Sequence, residues 1–323
     1  MTDVVGALVE RGDLDELTRL ADRLAGAAEW DELLRLRDLC RAALARGKQL
    51  WPVASNCEYR VALEAPGPWA ARVLVEKAGH FALGPLAEVA ASTHPWSEVA
   101  PHLAAEPLAS MFAHERVVRG ENLSGAGVVS NVLDLPFALC DWEPAYAVAE
   151  YGPDEAHFPT PAIPRLEPLD LPSTAPAKHR ADPDVERGLL DLVSAWTAES
   201  NGRAAVAVVD GPVEGAVRAL GAPRAGAARV TPATAFSHLA WAGASGGAHG
   251  RRRGAAVGRF AAWWAAAALL GALDDWPVAT LEVDRLEWHL WDAGEPATGW
   301  LLRVAVHDPD TGTSWALAAT DAA

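Results

Sequence analysis

Three segments near the C-terminus decide how this chain folds: LEWHLW at 286–291, WLLRVAVH at 300–307 and SWALAAT at 314–320. Each is a strand candidate bounded by turn residues. Gly294 with Pro296 separates the first pair, and Asp308-Pro309-Asp310-Thr311-Gly312 separates the second. These are the residues that tight turns require. The pattern predicts an antiparallel meander. Trp288 and Trp291 fall on opposite faces of their strand, because side chains alternate with period two. The tryptophans of this region, Trp241, Trp263, Trp264, Trp276, Trp288, Trp291, Trp300 and Trp315, therefore cannot all share one core face. They read as a Trp-rich core between helix and sheet, with a stacking groove for an aromatic, sugar or base ligand as the alternative.

Upstream of the meander, Ala204–Val209 is a continuous apolar run closed by Asp210-Gly211, the pattern of a buried strand. Helices are predicted around Val185–Glu199 and near Val213–Leu220, with a short segment at Arg229-Val230. Thr231-Pro232 makes a helix start, Thr as N-cap and Pro in the first position, for a helix through Trp241. Phe260 to Leu273 is the longest apolar run. A membrane span needs roughly 20 residues, so this run reads as a buried core helix. Helices on a mostly antiparallel sheet make residues 185–323 an α+β domain.

Residues 152–184 are dense in proline: Pro153, Pro159, Pro161, Pro164, Pro168, Pro172, Pro176 and Pro183. Proline lacks the amide donor and fixes φ, so neither a helix nor a central strand runs through here. The stretch reads as an extended connector. Residues 1–151 read as helices. Leu14, Leu17, Leu20, Ala21 and Leu24 follow a cap at Asp13, and Trp30 through Leu44 repeats the spacing up to Gly47. Pro66-Gly67-Pro68 breaks the chain before a helix around Trp69–Val75, and shorter helices follow at Pro85–Ala91, Trp96–Leu103 and Pro107–Val118. Helices joined by short turns suggest stacked hairpins that resemble, in architecture alone, tetratricopeptide or HEAT arrays; an irregular bundle fits as well.

The 323 residues carry a formal net charge of −16. A strongly acidic surface repels phosphate backbones and anionic lipid, so neither nucleic acid nor a membrane surface is an expected partner. The excess of Ala, Gly and Arg reads as the coding bias of a high-GC bacterial genome, and Arg abundance by itself carries no functional meaning. Cys40, Cys57 and Cys140 sit at no metal-ligand spacing, and an odd count argues for a reducing, cytoplasmic setting. The first residues show no signal-peptide pattern.

One local exception to the acidity is GASGGAHGRRRGAAVGR at 243–259. Two readings compete. In the first, glycines let backbone amides converge on an anion at a helix N-terminus, where Ser245, Gly246, Gly247, His249, Arg251, Arg252, Arg253 and Arg259 bind phosphate, carboxylate or an acidic partner. In the second, Gly250, Gly254, Gly258, Ala262 and Ala266 form a four-residue stripe for close helix packing. The loop matches neither phosphate nor dinucleotide motifs.

Other clusters read as structure. His307-Asp308-Pro309-Asp310 is a polar hairpin turn, and His114-Glu115 lacks the second His of a zinc helix. Ser237 and His238 are neighbours whose side chains diverge on a helix; Glu282, Asp284 and Glu287 are scattered carboxylates; Cys57 lacks an evident base. No metal site and no cofactor are expected. With no chemical motif in the helical half, the chain reads as a non-enzymatic interaction or adaptor protein with a protein partner. The alternative is a small-molecule enzyme or sensor that holds an anionic ligand at 243–259.

Overall fold

The computed structural model describes residues 4–75, 78–79, 81–103, 106–128, 131–173, 180–295 and 299–322. The chain forms two compact units. One comprises Met1–Val117, Leu123–Val132 and Ala149–Phe158; the other comprises Val118–Asn122, Leu133–Val148 and Pro159–Ala323. The protein is α+β: helices dominate the N-terminal part, and a six-stranded antiparallel sheet follows.

The first unit contains α1 (Val4–Arg11), α2 (Leu14–Gly26), α3 (Trp30–Ala43), α4 (Trp51–Glu64), α5 (Gly67–Ala70), α6 (Leu86–Thr93), α7 (Trp96–Val99) and nearly all of α8 (Glu106–Val118). Asp13 caps α2 by accepting the Glu16 amide at 3.0 Å, which satisfies one of the orphan donors of the first turn. α2, α3 and α6 all pack on α4. α4 is buried from Val53 to Leu63 apart from Asn56, polar residues included. Its buried charges are paired: Arg60 reaches Glu64 at 2.7 Å and Asp22 at 2.8 Å, and Glu58 pairs with Arg41 and accepts the Gly79 amide at 2.6 Å. A helix buried all round has no amphipathic stripe, which is why spacing alone passes over it. A two-stranded ribbon, β1 (Glu150–Tyr151) with β2 (Ala156–His157), joins this unit, and the Tyr151 hydroxyl donates to buried Glu88 at 2.7 Å.

The second unit contains β3 (Glu167–Leu169), α9 (Pro183–Leu192), α10 (Ser194–Ala198), β4 (Arg203–Asp210), α11 (Val213–Ala219), β5 (Ala225–Val230), α12 (Pro232–Ala244), α13 (Ala255–Leu269), β6 (Glu287–Asp292), β7 (Gly299–Asp308) and β8 (Thr313–Ala322). The strand order is β3-β5-β6-β7-β8-β4. The meander is present in β6, β7 and β8, with Leu290 opposite Val304 and Val304 opposite Leu317. The Pro296 side of the first turn lies outside the described residues, as does Pro176. Thr231 caps α12 by accepting the Thr234 amide at 3.2 Å, with Pro232 in the first turn.

Both faces of the sheet are covered. Val208, Trp288, Val304, Val306 and Leu317 meet α9, α12 and α13; Val209, Trp291, Ala305 and Ala316 meet α11. That explains the unbroken apolar run in β4: it is an edge strand by hydrogen bonding, yet apolar on both faces. The proline-rich stretch supplies the other edge, β3, where Pro168 sits without a ladder donor to lose on its outer side. The predicted helix at Val185–Glu199 is two helices, because the backbone at Val193 leaves helical geometry. Residues 133–148, which sequence reading attached to the helical half, pack within the second unit.

Candidate functional site

α12 ends at Ala244 and α13 begins at Ala255, so 245–254 is the loop. Gly254 has φ +102°, outside helical geometry. The proposed four-residue stripe is thereby shortened: Gly250 and Gly254 precede the helix, and Gly258, Ala262 and Ala266 are on it. Gly243 and Gly258 mark the close approach of α12 and α13. A Cβ on Gly243 would stand 2.8 Å from that of Ala261 and 3.3 Å from the Gly258 Cα. A Cβ on Gly258 would stand 2.8 Å from that of Ala244 and collide with the Ala240 carbonyl oxygen.

The loop closes on itself and on its neighbours. The Gly247 amide donates to Ser245 Oγ at 3.0 Å, the Ala248 amide to Asp321 Oδ2 at 2.6 Å, the His249 amide to Ser200 Oγ at 3.1 Å, and the Arg253 amide to the Ala244 carbonyl at 2.8 Å. Gly246 lies against the backbone of Gly250 and Arg251, where a side chain has no room. The anion that meets the Ala248 amide is thus the protein's own Asp321 carboxylate, 1% exposed. Ser245 is buried, His249 is exposed, and no hydrogen bond joins them, so they do not form a nucleophile–base pair. Arg251 is exposed, Arg252 is half-buried, and Arg253 Nη1 lies 3.4 Å from Ser194 Oγ. Asp321→Ala is expected to remove the loop's anchor at a cost of about 2 kcal/mol, the price of one charge-assisted bond and an orphaned amide. Hydrogen exchange at Ala248 reports it: protection should fall there while the α13 amides keep theirs.

Arg259 belongs elsewhere. Its side chain is fully buried and forms a two-pronged pair with Glu143, Nε to Oε2 at 2.8 Å and Nη2 to Oε1 at 2.7 Å. Nη1 donates to the Pro136 carbonyl and Nη2 to that of Ala138, both at 2.9 Å. Glu143 also accepts from the Trp263 indole at 3.1 Å, the Tyr146 hydroxyl at 2.7 Å and the Cys140 amide at 3.0 Å. Burial pushes the Glu143 carboxyl up, but the hydrogen bonds and charge of Arg259 outweigh it and hold it below the usual carboxylate range. This is a core clamp that fastens 136–146 onto α13. Arg259 therefore leaves the candidate anion set: its guanidinium has a buried counter-charge and no route to a ligand.

The remaining clusters follow their structural readings. His307 Nδ1 lies 2.9 Å from Ser314 Oγ, and Asp308 accepts the Asp310 amide at 2.9 Å inside the β7–β8 turn. Ser237 donates to Ala233 and His238 to the Ala162 carbonyl, so the neighbours diverge. Burial pushes the Cys57 thiol well above its ordinary value, which leaves it protonated and a poor nucleophile. Glu287 pairs with Arg229 at 3.0 Å. His114 donates to Asn131 at 2.8 Å. Among the described residues, no group of three or more His, Cys, Asp or Glu side chains is placed to hold a metal ion, and no helix is long and apolar enough to cross a membrane. The tryptophans fill the core: Trp196–Trp241 and Trp241–Trp300 meet edge to face at 5.8 and 5.9 Å.

One surface feature escaped the sequence reading. In the first unit, Trp51 at the start of α4 meets Phe81 with ring centroids 3.5 Å apart and planes tilted by 30°, although the residues are 37% and 48% exposed. Val75 and Leu83, on the same stretch as Phe81, are also exposed. No charge or motif marks these positions; only their exposure does.

No curated protein and no solved structure matches the chain. A family model described as a family of unknown function (DUF6183) matches residues 15–323, and the chain belongs to that family.

Proposed function

We propose that the protein is a non-enzymatic interaction or adaptor protein of the bacterial cytosol, and that its partner is a protein carrying an apolar recognition surface. The exposed Trp51–Phe81 pair carries this reading. Large aromatic side chains left in water cost hydrophobic free energy, and they are the residue types that dominate binding energy at protein interfaces. The free cysteines agree with a reducing compartment. Capture from lysate on the immobilised full chain, followed by crosslinking mass spectrometry, tests it. A partner crosslinked near Trp51 is expected, and W51A/F81A should weaken its binding at least about 30-fold, the effect of losing roughly 2 kcal/mol of interface energy. A partner retained equally by the double variant, or no enriched partner, overturns the proposal.

A second reading places an anionic small molecule at the Gly/Arg loop, favoured by the solvent-facing side chains of Arg251 and His249. The loop's amides at Gly247, Ala248, His249 and Arg253 already donate internally, so this ligand would be held by side chains. A thermal shift with nucleotides or phosphosugars that persists in Arg251→Ala would remove this reading.

A further inference from the structure

The second unit contains a cavity of about 370 Å³ whose walls come from four separate segments: the start of α9, the C-terminal end of α13, Arg285, and the β7–β8 turn. That volume is within the range of small-molecule sites, roughly 300–1,000 Å³. Its charged lining is Arg180, Asp182, Asp184, Asp274, Arg285 and Asp308, four carboxylates against two guanidiniums. A free anion is therefore disfavoured, and a ligand of net positive charge is drawn in. Leu269, Leu273 and Trp315 give the same cavity an apolar wall.

The polar groups divide into those engaged by the fold and those left over. Asp182 caps α9 and accepts the Trp315 indole at 3.2 Å. Asp308 is buried and accepts the Asp310 amide. Arg180 donates to Thr313 Oγ1 at 2.9 Å. Arg285 forms an ion pair with buried Asp308 at 3.7 Å, too long for a hydrogen bond, so its N–H donors keep room for a second acceptor. Asp184 reaches only Arg187, at 4.0 Å. Asp274 lines the cavity without a salt bridge or side-chain hydrogen bond to any described residue. What remains is one guanidinium with donors to give, two carboxylates with acceptors to give, and an apolar wall between segments.

We propose that this cleft binds a basic amino acid, its carboxylate on Arg285, its cationic groups on Asp184 and Asp274, and its methylene chain along Leu269, Leu273 and Trp315. A guanidinium matches a carboxylate in two-pronged geometry, and a basic amino acid supplies both an ammonium and a side-chain cation for two carboxylates. A metal ion is the poorer occupant, since the carboxylates are not gathered into a ligand group. The inference is independent of the partner reading, which rests on residues of the other unit.

Isothermal titration of the full chain with L-arginine, agmatine and L-glutamate tests it. Saturable one-to-one binding of arginine is expected. Agmatine keeps the cations and lacks the carboxylate, so it should bind about tenfold more weakly or worse. Glutamate should give no saturable heat. D184N/D274N changes two exposed side chains, leaves the far-UV circular dichroism unchanged, and should weaken arginine at least about tenfold. Absence of saturable arginine binding at millimolar concentration, glutamate binding as tightly as arginine, or undiminished binding by the folded double variant each overturns the proposal.

Discussion

Arg259→Ala is expected to lower the stability of the second unit by about 3–5 kcal/mol, because removing one partner of a buried pair leaves the other charge without compensation. A domain of this kind has only about 5–15 kcal/mol in hand, so the variant stands close to unfolding at ambient temperature. The orphaned groups are specific: the Glu143 carboxylate, which is fully buried, and the carbonyls of Pro136 and Ala138. Denaturant melts followed by Trp fluorescence measure the loss. Glu143→Leu combined with Arg259→Met should recover only part of it: the apolar pair removes the uncompensated charge, but the Pro136 and Ala138 carbonyls, the Trp263 indole, the Tyr146 hydroxyl and the Cys140 amide still lose their partners. If the double variant is as unstable as the single, the pair contributes something other than charge compensation. The pH dependence has a definite sign. The Glu143 carboxyl is held below its ordinary range in the folded chain, so its contribution is complete above the unfolded value and is lost as pH falls through the lower, folded one. Glu143→Gln should flatten that acid limb.

Gly258→Val should cost about 3 kcal/mol. A valine gains up to roughly 0.5 kcal/mol of helix propensity over glycine, but overpacking a tight contact costs about 1–3 kcal/mol and sometimes more. The second effect wins here because the obstacle is backbone: the Ala240 carbonyl oxygen and the Ala244 amide, 2.9 Å from the added Cβ, cannot rotate away. Gly26→Val is the matched control. Nothing lies within 4 Å of a Cβ at that position, and the same exchange in the unobstructed end of α2 should be neutral or slightly stabilising. Thermal melts that show equal effects at both positions would remove the packing explanation.

The elements legible in the sequence are those whose cause is local. The Thr231 and Asp13 caps bond to amides three residues on, and the meander is marked by the turn residues that separate its strands. What stayed hidden depends on distant partners. Glu143 and Asp321 decide the environments of Arg259 and the loop, yet each is one of 43 acidic residues and nothing nearby distinguishes it. The Gly/Arg loop is the converse case: a rare basic cluster stands out, while the carboxylate bonded to one of its amides lies far along the chain. Residues 133–148 form no helix or strand, so periodicity had nothing to report, although Leu135 and Trp142 are core contacts of the second unit. The cavity was equally silent, being assembled from four stretches that are unremarkable one at a time.

The pairing of β4 with β8 has a kinetic consequence. β6, β7 and β8 can close on one another through short turns, within microseconds for a hairpin. β4 is completed before any of them along the chain, yet its ladder partner, from Arg203 opposite Thr320 to Asp210 opposite Thr313, comes last. Closing that loop requires α11, β5, α12 and α13 to be gathered in between, and the entropy of doing so precedes the reward of the ladder. Refolding of the second unit should therefore proceed through an early three-stranded meander and a slower step in which β4 docks, with Trp315, opposite Val208, as the natural fluorescent reporter of that closing step.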